Sequence, residues 1–138
     1  MSRRKTRVVF EDDYGRAVVY HRHVSGGGLV SPSAHVEESA VLARDAYVEE
    51  GARVGARASV GTGSWIDVGA SLDRDVVIGR NVHVGPRTTV GAGARVDDGS
   101  KVGSDVTIEP RARVLPDSVV PDGEVVRREG RRRYGIAA

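Results

Sequence analysis

The chain has no cysteine. Disulfides, thiolate nucleophiles and cysteine-held zinc are therefore excluded. Aromatic residues make up 4% of it, with one Phe, one Trp and four Tyr. A core assembled from large aromatic side chains is out of reach, because these residues normally bring much of the buried area. No apolar run approaches the roughly 20 residues that span a bilayer. The start, Met1-Ser-Arg-Arg-Lys5, is basic with no apolar stretch behind it. No secretory leader is expected on that ground, and the expected location is cytoplasmic. Excess charge is lacking too: 21 Lys and Arg face 19 Asp and Glu.

Glycine and valine are abundant, with 18 Gly and 25 Val in 138 residues. That length suits one domain. Stepping by six from Val30 meets Val36, Leu42, Val48, Val54, Val60, Ile66, Leu72, Ile78, Val84, Val90, Val96, Val102, Ile108, Val114, Val120 and Val126. The register never breaks. Two residues before each anchor, from Ala34 to Ser118, only Ala, Ser, Thr or Val occurs. Three residues after the anchor, Gly, Asp or Asn recurs, as at Gly51, Gly63, Asn81 and Gly99. Those types tolerate positive φ best. The spacing is neither a 3.6-residue helix nor a period-2 strand. It predicts short strands with the anchor pointing in, joined by a tight turn every six residues. Three such edges close a triangular coil of 18 residues, and stacked coils align anchors about 4.8 Å apart.

This pattern, as in Val54-Gly-Ala-Arg-Ala-Ser-Val60 and Val84-Gly-Pro-Arg-Thr-Thr-Val90, resembles the hexapeptide repeat of the left-handed parallel β-helix. The predicted class is all-β: a single-stranded left-handed parallel β-helix over residues 30–126, with a basic N-terminus, hairpin and Gly-rich connector over 1–29 and a basic tail over 127–138. The left hand comes from the resemblance, as do two further expectations: a homotrimer, and acyl or acetyl transfer from acyl-CoA to a hydroxyl or amine. A second branch of the superfamily is similar to γ-class carbonic anhydrases, which hold zinc between subunits.

The ends depart from the repeat. Thr6-Arg-Val-Val-Phe-Glu11 and Arg16-Ala-Val-Val-Tyr-His-Arg-His-Val24 alternate like strands, with Asp12-Asp-Tyr-Gly15 as the turn between them. A β-hairpin is predicted, followed by a flexible connector, Ser25-Gly-Gly-Gly28, with the hairpin as an end cap or a reaching arm. The stretch Val114-Leu-Pro-Asp-Ser-Val-Val-Pro-Asp-Gly-Glu-Val-Val126 resembles the closing segment of hexapeptide acetyltransferases. Its usual ending, Gly-x-Pro-Ala-Lys/Arg, is replaced by Arg127-Arg-Glu-Gly-Arg-Arg-Arg-Tyr134.

Candidate chemistry falls on one face. The residue before each anchor points outward, and steps of 18 along one face collect Leu29, Tyr47, Trp65, His83, Lys101 and Val119. Glu49 and Asp67 follow anchors beside them. Within the resemblance His83 is the general base, with Asp67 or Glu49 orienting it. Leu29, Tyr47, Trp65 and Lys101 form an interface or binding strip.

Against catalysis stands the unbroken register, which leaves no inserted loop or second domain to make a concave site. That carries the alternative, a non-catalytic homotrimeric scaffold presenting its hairpin and tails. Metal is not expected: His35 and His83 are 48 residues apart, not a multiple of 18, and His21 with His23 finds no third ligand. No cofactor is identified, and acyl-CoA enters only as a substrate. Gly61-Thr-Gly63 and Gly91-Ala-Gly93 are turns, since no helix follows them to hold a phosphate, and Asp97-Asp-Gly99 reads as a turn, not a calcium loop. Arg3, Arg4, Lys5 and Arg7 at the start, and Arg127, Arg128, Arg131, Arg132 and Arg133 at the end, form basic clusters. They suit an acidic protein partner or anionic lipid. The tail lacks interleaved aromatics apart from Tyr134, which disfavours nucleic acid.

Overall fold

The computed structural model describes residues 7–128. Arg3, Arg4, Arg131, Arg132 and Arg133 lie outside them. The described chain is all strand and turn. Strand β1 (Arg7–Glu11) pairs antiparallel with β2 (Ala17–Arg22). From β3 (Leu29–Val30) onward, seventeen two-residue strands each end on one of the six-spaced anchors. They stack in parallel with partners 18 residues apart, as in Trp65↔His83 and Val84↔Val102. The result is a parallel β-solenoid of about five turns, consistent with the left-handed coil that the resemblance implies.

Three sheets form the faces. The first, eight strands wide, runs from β1 through β2 and β3 to the strand at Val119–Val120. The others have six and five strands. Inside, the anchors from Leu42 to Val120 are all buried, and the small residues at the corners fill the space between them.

The turns explain the recurrent Gly, Asp and Asn. From Gly51 to Gly123 every position three after an anchor has positive φ, including Arg57, Arg87 and Arg111. Each such amide from Gly69 onward donates to a carbonyl in the turn of the coil below, as in Gly69 to Glu50 and Gly99 to Arg80. The first coil is the exception. Ser33, Ser39 and Asp45 are not in the left-handed region. Their side-chain oxygens accept the amides of Gly51, Arg57 and Gly63 in the next coil. A carboxylate or hydroxyl thus replaces the carbonyl that a left-handed turn would have supplied.

The Ser25–Gly28 connector is held, not flexible. Leu42 N–H donates to Ser25 O, Gly28 N–H to Leu42 O, and His23 N–H to Gly28 O. Arg22 donates to Gly27 O and Arg44 O at 2.9 Å each. The connector lies so close to Leu42 that a Cβ at Gly26 or Gly28 would collide with it. Its glycines are there to let backbone cross the open end of the first coil, where the strand at Val41–Leu42 has no parallel neighbour before it. Backbone polarity at that edge is satisfied by the connector.

Candidate functional site

The first face carries the candidate residues because β-register alone lines them up. Tyr47, Trp65, His83 and Lys101 are successive partners in adjacent parallel strands. The indole of Trp65 stacks on the imidazole of His83, with centroids 4.3 Å apart and planes at 16°. His83 Nε2 meets Asp67 Oδ2 at 2.9 Å. The Asp67 side chain is 14% exposed and that of His83 is 35% exposed. A half-sheltered carboxylate therefore fixes the ring, and Nδ1 is the nitrogen left without a bond from any described residue.

Glu49 is not brought to His83. One oxygen, Oε2, accepts from Trp65 Nε1 at 2.9 Å, and the other, Oε1, accepts from the Tyr20 hydroxyl at 2.9 Å. It therefore orients the indole that stacks on His83. Of the two carboxylates expected at the histidine, the geometry selects Asp67.

Leu29 departs from the exposed strip, being only 3% exposed. The reason is β2, which pairs with β3 and adds Tyr20 to this face. The Tyr20 and Tyr47 rings meet edge to face at 5.4 Å across the strand that bears Leu29. Phe10 continues the series, 5.8 Å from Tyr20. Tyr20 and Phe10 are residues of this candidate face that the repeat could not reveal, since they precede it. The alternation Val18, Tyr20 was the available signal, but the antiparallel pairing to β3 decides the side. Burial, then the Glu49 carboxylate, pushes the Tyr20 phenol well above its ordinary pKa. Trp65 remains 42% exposed, and Lys101 and Val119 are exposed beyond it.

Elsewhere the candidates are separated. Arg127 reaches Glu109 Oε2 at 3.0 Å, and Arg128 donates its backbone N–H to Glu109 Oε1. His35 pairs with Glu37 on another face, and His23 contacts Ala40 O. No group of three or more metal-ligating side chains occurs among the described residues. No helix among them is long and apolar enough to cross a membrane.

No protein-family model matches the sequence. No curated protein matches it significantly. Among solved structures the chain is similar to the acetyltransferase domain of PglB from Neisseria gonorrhoeae, with 27% identity and TM-score 0.42, over 75% of this chain and 55% of that one. It is similar to PerB from Caulobacter crescentus, solved with CoA and GDP-perosamine, with 28% identity and TM-score 0.40, over 83% of this chain and 56% of that one. A hexapeptide transferase family protein from Anaplasma phagocytophilum is 20% identical with TM-score 0.40, over 72% and 69% of the two chains. The chain thus spans little more than half the length of PglB's domain and of PerB. Likeness at these TM-scores carries no weight for activity, and the fold rests on the coil register itself. By that register, this chain is a hexapeptide-repeat β-solenoid whose structural neighbours are acyltransferases.

Proposed function

We propose that the chain is an acyltransferase of the hexapeptide-repeat kind, acting on the face that carries His83. The observation that supports it best is the 2.9 Å contact of His83 Nε2 with Asp67, under the stacked indole of Trp65. Asp67 holds the tautomer with the proton on Nε2, which leaves Nδ1 as the base. An acceptor hydroxyl or amine gives its proton to Nδ1 and attacks the thioester carbonyl of acyl-CoA. The C–S bond breaks, the proton returns to the leaving thiolate, and acylated acceptor and free CoA result. Asp67 and Glu49 are positioning residues, the first for His83 and the second for Trp65. The face is flat within one chain, so the substrate cleft in this reading forms between copies in a homotrimer, with Tyr47, Trp65 and Lys101 at the junction.

The unbroken register from Leu29 to Val126 favours a second reading. No coil carries an insertion that would enclose substrate, as suits a rigid non-catalytic scaffold. Thermal-shift titration with CoA and acetyl-CoA separates the two, because a ligand that binds only the folded state stabilises it by about 2.7 kcal/mol at 100 times its dissociation constant. The transferase reading expects a rise in Tm. It also expects thiol release with a panel of hydroxyl and amine acceptors, falling roughly 10²–10⁴-fold in His83→Ala while the shift persists. No shift at millimolar ligand, for the whole chain and for one cut after residue 128, leaves the scaffold.

A further inference from the structure

Among the described residues, the first face has two edges without a further strand. One is the two-residue strand at Val119–Val120, and the other is β1, five residues long. No described residue pairs with the outer side of β1. Such an edge is a template for another strand, and proteins usually blunt it with proline, lysine, a bulge or a cover. Strand β1 has none of the first three: all five residues pair regularly, Arg7↔His21 through Glu11↔Ala17. Val9 and Phe10 on it are 50% and 42% exposed.

The backbone polarity of this edge follows from the hairpin. Asp12 N–H donates to Arg16 O, and Gly15 N–H to Asp12 O. Asp12 and Arg16 are therefore a hydrogen-bonded pair. Antiparallel pairs alternate in type. Phe10 with Val18 and Val8 with Tyr20 are then bonded pairs too, while Arg7, Val9 and Glu11 turn their N–H and C=O groups outward. The side chains alternate with them. Phe10 lies on the Tyr20 side, so Val8 shares that side and Arg7, Val9 and Glu11 share the other.

We propose that β1 is a two-fold interface, pairing antiparallel with β1 of a second copy in the register that sets Val9 opposite Val9. Within Arg7–Glu11 only this register uses all three outward residues, so every outward N–H meets an outward C=O. It sets Arg7 of each copy opposite Glu11 of the other. Neither side chain has an ion pair with a described residue in its own chain. It also sets Phe10 opposite Val8 on the Tyr20 side, an aromatic–aliphatic cross-strand pair. Parallel pairing would oppose like charges instead. The strand is thus self-complementary in backbone, charge and apolar surface, which is the requirement of an isologous contact. Sheet would then run continuously from one copy's first face into the other's, independently of any contact made between the faces.

Sedimentation velocity over a concentration series tests this on the full chain at low salt. Val9→Pro removes an outward N–H that β2 does not use, and an edge strand tolerates proline there. The wild-type particle is expected to have twice the mass of the Val9→Pro particle, with unchanged far-ultraviolet circular dichroism. Arg7→Glu and Glu11→Arg each place like charges opposite one another and are each expected to halve the mass. Mixing those two variants opposes Glu with Arg at both ends and is expected to restore it. Equal masses for wild type and Val9→Pro, no recovery in the mixture, or open-ended growth in place of a closed doubling would each overturn the proposal.

Discussion

Ser64, Thr88 and Ser100 occupy corner positions where most coils have Ala or Val, and they do what those residues cannot. Ser64 Oγ donates to Gly79 O at 2.7 Å and accepts Val82 N–H at 3.0 Å. Thr88 does the same for Gly103 O and Val106 N–H, and Ser100 for Leu115 O and Ser118 N–H. Most other corner amides close a turn onto the residue three before them, as Ala70 does with Asp67. Where a corner amide turns instead to the coil below, a hydroxyl stands there to receive it. Ser64→Ala should orphan the buried Val82 N–H and lower stability by about 1–3 kcal/mol in urea denaturation. The repeat shows that these residues must be small, and it is silent on why some are hydroxylic. The left-handed arginines follow similar logic. Arg57 and Arg87 adopt a conformation that disfavours a side chain, and each forks onto the Asp one coil later, Asp75 and Asp105.

At the scale of elements, the strands are too short to stand alone. Each contributes two residues, and only neighbours above and below complete it. The first coil has no coil below it: β2 pairs with β3 there, and the connector takes that place over Leu42. Gly26 sits at φ 90° against Leu42, so a side chain is strained there and also collides. Gly26→Ala should lower stability by more than about 1 kcal/mol. The Leu42 amide, bonded to Ser25 O, should then lose protection in hydrogen exchange. Three consecutive glycines suggested a flexible link because glycine is permissive in isolation. Close approach to Leu42 is the opposite use of the same property, and only packing distinguishes the two.

At the scale of the whole molecule, hairpin and solenoid are joined through Glu49, which binds Tyr20 from one and Trp65 from the other. The raised pKa of Tyr20 makes this joint alkali-sensitive. The folded state holds the phenolic proton more tightly than the unfolded chain does. The resulting stability is fully present below about pH 10 and is lost as pH rises past it. Denaturation midpoints should fall with rising pH in wild type. Tyr20→Phe should start lower and lose that part of the slope. A slope unchanged in Tyr20→Phe would remove Tyr20 as its source. The alignment of Trp65, His83 and Asp67 was legible from the 18-residue coil, because outward residues of successive coils must be neighbours. Which carboxylate serves His83 follows the same step: Asp67 lies 16 residues before His83 and Glu49 lies 16 before Trp65, so each carboxylate meets the ring one coil on. The hairpin adds Tyr20 to the second oxygen of Glu49.

The sequence alone determined the coil. Hydrophobic anchors at an unbroken spacing of six, small corners and turn residues that accept positive φ admit one closed geometry, because any slip would turn buried valines toward water. Tertiary structure decided everything that depends on contacts outside the period. It set the connector across the open end, turned Tyr20 and Phe10 onto the His83 face and buried Leu29 beneath their edge. It also left the outward amides of β1 unpaired by any described residue. The physical reason is the same in each case. A repeat constrains residues 18 apart, whereas an antiparallel hairpin joins the sheet through a register that its own turn sets.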